Sequence, residues 1–340
     1  MAILAKEEKY MNSNLSALIK NPNQIREVSF NNYTLTLKTS VCTHSRGITG
    51  RTNTTSSVPG QMTIELSSCG ANAIKVRYVN HKSSTKPSKR FIDSKPSQIG
   101  TIDETEDSII FKSNMFEARI SKSNVFNIDF IYRDKLVTAS NSSNGGASYT
   151  TFSGVSNNYM IVENAITSES LSVAPDELFY GLGSNGSSLI LNGQTTSVDN
   201  RNSSGNKAFN FQNFPFYLSS RNYGVFVNTY GKANFAFGTE YSSTVTFSTD
   251  EEELEYVIFV GEDLLDVLST FNKYLGVTHI PPSWAAGTSL LCASDNDVTS
   301  DDIIDYVVRT LESGISISEI WLSDLWINLP GGIFVLRKKV

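Results

Sequence analysis

A glycine-rich run, GLGSNG at residues 181–186, has the spacing in this sequence that most suggests a binding site. The run fits the G-x-G-x-x-G pattern of dinucleotide-binding loops, in which a helix starts at the glycines and its amides meet the pyrophosphate. Residues 187–196 lack the apolar periodicity of such a helix, and they soon reach the turn signal Asn192-Gly193. The run is therefore interpreted as a glycine-rich turn.

Side chains that could hold a metal or attack a substrate do not cluster along the chain. The histidines His44, His81 and His279 make no ligand spacing such as H-E-x-x-H, and no G-x-S-x-G nucleophile elbow is present. The three cysteines are far apart and form no Cys-x-x-Cys pair, so buried free thiols are expected. The sequence predicts no metal site, no cofactor and no hydrolytic triad.

Most acidic residues lie in loops or at predicted helix starts, where solvation or helix capping explains them. Asp324 differs because it follows the predicted strand 318–323, and ligands gather outside the carboxyl ends of strands in parallel sheets. Trp321 and Trp326 flank it with aromatic surface of the kind that stacks on sugar rings, although tryptophans at a strand end also pack in cores. Asp324 is therefore a candidate binding residue.

The first 260 residues have the pattern of short antiparallel strands, because apolar and polar residues alternate between clusters of Asn, Gly, Ser and Asp. Residues 33–37 alternate after the turn Asn31-Asn32, and the strand 125–132 ends at the turn Arg133-Asp134. Many short strands without intervening helices predict a β-sandwich or barrel. Long polar loops are expected between them, including 80–100 and 183–208.

The pattern changes near residue 262. Helical spacing predicts a helix over 264–275 that ends at Gly276, followed by an apolar strand over 284–291. A second helix, which starts near Ser300 and ends before Gly314, leads to a strand over 315–322. This order predicts one βαβ crossover and a parallel sheet. The apolar residues expected to form the buried face of the second helix are Ile303, Ile304, Val307, Val308 and Leu311.

Length and charge restrict the classes of function. A chain of 340 residues has room for roughly two domains. Its net charge of −6 has the wrong sign for binding nucleic acid or an anionic membrane, and the basic residues of the 80–100 loop are interpreted as solvated. The sequence lacks a signal peptide and a long apolar run, so a cytoplasmic location is expected.

Six ordered segments resemble one family, the retaining α-glycosidases of glycoside hydrolase family 31, and its bacterial and fungal α-xylosidases most of all. The resemblance is collinear from about residue 60 to residue 327, and it includes DELFYGLGSNG at 176–186 and LNGQTTSVDNRN at 191–202. The other matching segments are 111–138, 214–240, 253–287 and the βα region that ends at Trp326.

The resemblance implies a mainly β chain in two domains. Residues 1–280 would form an antiparallel, galactose-mutarotase-like β-sandwich, and residues 281–340 would form the truncated start of a (β/α)8 barrel, with about two of its eight strands. The implied activity is hydrolysis of O-glycosyl bonds in α-linked, xylose- or glucose-containing oligosaccharides, with release of terminal α-xylose favoured. The two catalytic carboxylates of the family lie on later barrel strands, in motifs absent here, so no catalytic residue is assigned.

The resemblance also implies which residues bind the sugar. Asn202 stands where a sandwich loop of the family supplies a sugar-binding Asp, and its amide gives weaker hydrogen bonds than a carboxylate would. Aligned on the aromatic Trp326, Ser323 takes the position of a family Asp, with Asp324 displaced by one. Leu325 stands where α-glucosidases carry a second Asp, and an apolar wall suits a sugar that lacks the hydroxymethyl group.

Three interpretations of the whole chain remain open at this point. The chain is a truncated and inactive α-xylosidase-like or α-glucosidase-like fragment, a non-catalytic carbohydrate-binding sandwich or pseudoenzyme, or a fragment that pairs with another chain. Homo-oligomerisation, as in full-length members of the family, is open, and so is continuation past Val340. With so few barrel elements, residues 281–340 are expected to be poorly ordered or aggregation-prone unless something covers their apolar faces.

Overall fold

The chain forms two compact units, residues 1–277 and 278–340, in a computed structural model. The structure describes residues 14–46, 52–55, 60–80, 90–97, 99–123, 125–142, 145–156, 159–183, 188–199, 213–276, 280–292, 300–322, 327–328 and 335–336.

Among its described residues, the first unit contains nineteen strands and one helix, α1 (Leu264–Leu275). The strands are β1 (Asn14–Asn31), β2 (Thr34–Arg46), β3 (Thr52–Thr55), β4 (Gln61–Gly70), β5 (Ala73–Asn80), β6 (Gly100–Glu104), β7 (Ser108–Ser113), β8 (Phe116–Ser121), β9 (Asn127–Tyr132), β10 (Lys135–Asn141), β11 (Ser148–Ser156), β12 (Tyr159–Ser172), β13 (Phe179–Gly183), β14 (Thr195–Val198), β15 (Asn213–Ser219), β16 (Tyr223–Val227), β17 (Ala233–Phe237), β18 (Thr244–Thr249) and β19 (Glu253–Val260).

Alternating burial of side chains, as along β7, and residues suited to tight turns between strands explain why such segments form hairpins. In β7 the side chains of Ile109, Phe111 and Ser113 are buried, and the residues between them are less so. Arg133 and Asp134 both have positive φ angles, of 49° and 61°, as a two-residue hairpin turn requires, which confirms the predicted turn. The first hairpin turn lies one residue later than predicted, at Asn32-Tyr33.

Antiparallel pairing joins these strands in two series that share β12, and β3 pairs with β2 beside the first series. One series runs β13-β15-β16-β19-β5-β4-β2-β1-β11-β12. The other runs β6-β7-β8-β9-β10-β12-β18-β17-β14. β12 belongs to both because its first part pairs with β11 and its last part pairs with β18.

The two series pack face to face around one core. The ring of Tyr256 on β19 meets the ring of Phe247 on β18 edge-on, with centroids 5.1 Å apart. Tyr217 on β15 meets Phe237 on β17 in the same way, at 5.4 Å. Edge-to-face contacts of this kind fill the space between two sheets. The predicted antiparallel β-sandwich is confirmed.

Helix α1 covers the predicted residues and ends at Gly276, as predicted. The side chain of Asp263 caps it by accepting a hydrogen bond of 2.8 Å from the amide of Asp266. Gly276 ends it with a left-handed φ of 73°, and its amide bonds to carbonyls of the last turn. Val267 and Phe271 are buried, whereas Leu265 is exposed, so one face of the helix covers the sandwich.

The second unit contains a βαβ crossover, as predicted. Its elements are a short 3₁₀ helix (Ser283–Ala286), β20 (Ser289–Cys292), α2 (Ser300–Glu312), β21 (Glu319–Leu322), β22 (Ile327–Asn328) and β23 (Val335–Leu336). β20 and β21 pair in parallel, with Ser289 opposite Glu319 and Cys292 opposite Leu322. β22 and β23 pair antiparallel.

Three expectations for buried or extended residues were wrong. The predicted strand 284–291 begins as the 3₁₀ helix, in which the amide of Gly287 bonds to the carbonyl of Trp284. The apolar face of α2 is not buried, because Ile304, Val308 and Leu311 are exposed and Ile303 and Val307 are half-buried. Two strands offer too little surface to cover a helix. Cys42 and Cys69 are free thiols but only half-buried.

Candidate functional site

The residues predicted to bind sugar, Asn202, Asp324, Leu325 and Trp326, lie outside the described residues, as does Ser323. The structure describes the elements that lead to them. Strands β14 and β15 come before and after Asn202 in the sequence, and the parallel strands β20 and β21 precede Asp324. These elements are the described neighbours of the candidate residues, one set in each unit.

The parallel pair β20–β21 places two chain segments side by side. Its register sets Cys292 and Leu322 opposite each other, so the segments that follow them leave from the same sheet edge. Asp324 comes two residues after Leu322 in the sequence. At the other end of the pair, the hydroxyl of Ser289 donates to the Glu319 carboxylate, and this hydrogen bond lowers the pKa of Glu319. Trp321 is exposed rather than packed in a core.

The segment with Asn202 starts and ends on strands of the sandwich. β14 precedes it and pairs with β17, and Val198 at its end is buried. Asn213 follows the segment and lies opposite Gly183 in the β13–β15 pair. β14 lies inside the region predicted as one long loop. Residues 195–198 are therefore a paired strand and not part of a loop.

Gly181 and Gly183 lie in strand β13 rather than in the predicted turn, and residues 184–186 of the run lie outside the described residues. Gly181, Leu182 and Gly183 all have positive φ angles, of 125°, 63° and 76°. The Leu182 side chain is fully buried, so packing holds a conformation that a leucine rarely adopts. A Cβ atom on Gly181 would lie 2.6 Å from the carbonyl oxygen of Phe216. The glycine lets β13 approach β15 closely.

Gly181→Ala is expected to lower the free energy of unfolding by about 3 kcal/mol, because it combines a backbone clash with an unfavourable φ. Gly193→Ala is the matched control, because Gly193 has a φ of 73° but no atom within 4 Å of its Cβ position. That control is expected to cost about 1 kcal/mol. Urea unfolding of both variants measures the difference, and equal losses would contradict the clash.

One buried carboxylate has the perturbed acidity that often marks a catalytic group. Glu169 accepts hydrogen bonds from the hydroxyls of Tyr78 (2.5 Å), Tyr256 (3.0 Å) and Ser140 (2.8 Å), and from the amide of Ser170 (2.9 Å). Burial raises the pKa of Glu169 to about 7, against the opposing effect of these four bonds. Glu169 is fully buried in the sandwich, so a substrate has no access to it, and its role is structural.

A second buried carboxylate fixes the start of β13. Glu177 accepts a hydrogen bond of 2.5 Å from the Ser219 hydroxyl on β15 and another of 2.9 Å from the amide of Ala174. Burial, with the charge of Glu177 as a further cause, holds the pKa values of Tyr217 and Tyr223 well above the usual range. Glu177 therefore positions the strand that contains Gly181 and Gly183.

Sequence reasoning did not single out Glu169 or Glu177. Glu169 stands between two serines, and Glu177 follows Pro175 and Asp176, so both look solvated in the sequence. Only the tertiary structure shows that both are buried. Among the described residues, no three His, Cys, Asp or Glu side chains come together as metal ligands. No helix in the described part of the chain is long and apolar enough to cross a membrane.

Comparisons with known proteins agree on one family. A sequence profile described as the glycosyl hydrolase 31 N-terminal galactose mutarotase-like domain matches residues 63–235, about half of the chain. The α-xylosidase XylQ of Lactiplantibacillus pentosus is 29% identical over 158 residues, which are 46% of this chain and 21% of XylQ. An α-xylosidase of Emericella nidulans is 27% identical over 183 residues, which are 54% of this chain and 24% of that protein.

Solved structures share the fold. The cycloalternan-forming enzyme of Listeria monocytogenes, solved with a pentasaccharide substrate, superimposes with a TM-score of 0.68 at 16% identity. The match covers 94% of this chain and 28% of that enzyme. The chain thus spans about a quarter of the length of these relatives. On the profile match and the shared fold, the chain belongs to the glycosyl hydrolase 31 family, through its N-terminal galactose mutarotase-like domain.

Proposed function

We propose that this chain is the N-terminal part of a retaining α-glycosidase that releases terminal α-xylose from oligosaccharides. The observation that carries the proposal is the match of residues 63–235 to the family domain, together with two curated relatives that are both α-xylosidases. The sandwich is followed by a βαβ crossover, which is the order of elements expected of such an enzyme.

The second unit is proposed to be the start of a (β/α)8 barrel. In support, β20 and β21 pair in parallel with α2 between them, as in each repeat of such a barrel. None of the described side chains in 280–290 and 301–321 is buried. Further strands and helices of a complete barrel would cover the exposed Ile304, Val308 and Leu311.

The proposed sugar contacts are Asn202, Asp324, Leu325 and Trp326. The carboxyl ends of β20 and β21 support this proposal, because barrel enzymes bind their substrates at that end. Trp326 would stack on the sugar, and Asp324 and Asn202 would bond its hydroxyls. Leu325 would favour xylose, since an apolar side chain leaves the hydroxymethyl group of glucose without a polar partner.

Hydrolysis with retention needs two carboxylates about 5 Å apart, one that attacks the anomeric carbon and one that gives and takes a proton. We assign neither to this chain. The buried Glu169 does not replace them, because no sugar reaches it. The chain alone is therefore expected to be inactive, and its residues would bind and orient the terminal sugar.

Replacing the corresponding part of XylQ with residues 1–327 of this chain tests the proposal. The chimera is expected to hydrolyse an aryl α-xyloside in preference to the α-glucoside, whereas the chain by itself shows no turnover above a boiled sample. Leu325→Asp in the chimera is expected to shift the ratio of kcat/KM values roughly tenfold towards the α-glucoside. A folded chimera without α-xyloside hydrolysis, or turnover by the chain alone, would contradict the proposal.

A second candidate is a carbohydrate-binding sandwich without catalysis. One observation favours it: the first unit has an extensive core of its own, whereas no described side chain of 280–290 or 301–321 is buried. A unit with its own core can fold without a barrel. Sugar binding by the chain, together with an inactive chimera, would support this second candidate.

A further inference from the structure

Two exposed aromatic rings lie next to each other on the sandwich unit. The ring centroids of Phe91 and Tyr230 are 5.0 Å apart, with 42° between their planes. Phe91 is 40% exposed and Tyr230 is 61% exposed. They come from separate loops, 139 positions apart in the sequence. We call this pair the aromatic platform.

The backbone of Phe91 is held firmly in place. The amides of Phe91 and Ile92 both donate to the side-chain oxygen of Asn228, each at 2.9 Å. The amide group of the same side chain donates to the carbonyl of Ile92 at 2.7 Å and to the buried Glu255 carboxylate at 2.6 Å. One asparagine thus ties the loop of Phe91 to strand β19. Phe91 also packs edge-on against Phe214, with centroids 5.4 Å apart.

The backbone of Tyr230 is fixed on both sides. The Thr229 hydroxyl accepts a hydrogen bond of 2.8 Å from the amide of Gly231, and the amide of Thr229 bonds to the carbonyl of Val227. A Cβ atom on Gly231 would lie 2.9 Å from a carboxylate oxygen of Glu251, so the loop is tightly packed. The backbone under both rings is therefore rigid, which lowers the entropy lost when a ligand is bound.

Charged residues adjoin Phe91 in the sequence, Arg90 before it and Asp93 two positions after it. The Arg90 guanidinium lies 3.5 Å from Glu255, 3.6 Å from Glu253 and 3.8 Å from Asp93. Arg90 is thus already paired with carboxylates, which disfavours a phosphate or another anion as its ligand. The Asp93 side chain is 93% exposed, so its oxygens are available to a ligand. Carboxylates form strong hydrogen bonds with hydroxyl groups.

We propose that the aromatic platform binds a pyranose ring of a neutral oligosaccharide. A pyranose has an apolar C–H face that fits an aromatic ring and a rim of hydroxyls that fits Asp93 and Arg90. Two rings offer far less than the roughly 800 Å² that each partner buries in a stable protein interface, so a small ligand fits better. The choice of a carbohydrate rests on the proposed function, whereas the position of the site rests on the geometry.

Calorimetric titration of the full chain with xyloglucan oligosaccharides tests the inference. Tyr230→Ala is expected to weaken binding roughly tenfold or more, because it removes the ring with the larger exposed fraction. Tyr230→Trp is expected to retain binding or strengthen it. Tyr241→Ala is the matched control, because Tyr241 is 59% exposed and lies in a different turn, and it is expected to bind as the wild type does.

Thermal unfolding of each variant separates a loss of binding from a loss of folding, and Tyr230→Ala is expected to keep the wild-type midpoint. Equal affinities for wild type and Tyr230→Ala would overturn the platform and leave the proposed function intact. Absence of binding by the wild type would also overturn the platform, and hydrolysis by the chimera then decides the proposed function separately.

Discussion

Glu169→Ala is expected to lower the free energy of unfolding by about 3–5 kcal/mol, the largest loss expected of any carboxylate in the sandwich. The substitution removes the acceptor of four hydrogen bonds, from Tyr78, Tyr256, Ser140 and Ser170. The two tyrosine hydroxyls keep their mutual contact of 3.3 Å, and the Ser170 amide keeps the Gly146 carbonyl at 3.1 Å. All four surround a fully buried position, so water does not replace the lost carboxylate. Urea unfolding at neutral pH measures the effect.

The same carboxylate gives stability a defined dependence on pH. Burial raises the pKa of folded Glu169 from its ordinary 4.5 to about 7, so the folded state holds a proton that the unfolded state releases. Its contribution is fully present below about pH 4.5 and falls as the pH rises to about 7. The difference between the two pKa values corresponds to a loss of unfolding free energy on the order of 3 kcal/mol between about pH 4.5 and about pH 7.

Glu169→Gln separates the charge from the hydrogen bonds. Its amide imitates the protonated acid, accepts from Ser140 and Ser170, and donates to the tyrosine oxygens. We expect it to match the wild type near pH 4.5 and to exceed it in stability above pH 7. Glu27→Gln, at an exposed position, is the control and is expected to stay within about 0.5 kcal/mol of the wild type. If the unfolding free energies of Glu169→Gln and wild type differ by the same amount across this pH range, the titration of Glu169 is contradicted.

Phe271→Ala is expected to cost about 3–5 kcal/mol, because Phe271 is one of the two buried residues with which helix α1 packs on the sandwich. Its ring stacks on Phe216 with centroids 3.9 Å apart and planes parallel within 1°. It also meets Phe259 edge-on at 5.4 Å and Phe226 at 5.8 Å. Deleting the ring leaves a cavity between helix and sheet. Urea unfolding monitored by circular dichroism measures the loss.

Leu265→Ala on the same helix is the control. Leu265 is 75% exposed, so its truncation leaves no cavity and is expected to cost less than about 0.5 kcal/mol. Similar losses of unfolding free energy for the two variants would show that helix propensity, rather than packing, determines what α1 contributes to stability. A loss confined to Phe271→Ala supports α1 as an integral part of the sandwich, placed immediately before the connection to the second unit.

Local signals were sufficient to predict several elements. Gly276 marks the end of α1 in the sequence and in the structure, because a C-cap depends on residues within one turn. The turn Arg133-Asp134 was predictable for the same reason. The predicted βαβ order around α2 is also found, since helical periodicity and strand-length apolar runs are local properties.

Other features did not follow from the hydrophobic pattern of the sequence. Residues 284–286 form a 3₁₀ helix rather than a strand, because bonds from Ala285 to Pro282 and from Gly287 to Trp284 close a local turn. The apolar residues of α2 looked like a core face, yet the second unit supplies too little surface to bury them. Periodicity shows which face of a helix is apolar, but not whether a partner covers it. The predicted sugar contacts at Asn202 and Asp324–Trp326 remain predictions.

The sequence by itself determined the family and the sandwich class, because these follow from ordered motifs and from the alternation of apolar and polar residues. The tertiary structure alone decided where charge and aromatic surface come together. Glu169 faces Tyr78 and Tyr256 across 91 and 87 positions, and Asn228 holds the loop of Phe91 across 137. Burial and long-range pairing set those contacts, and the free energy of each depends on neighbours that a single stretch of sequence does not contain.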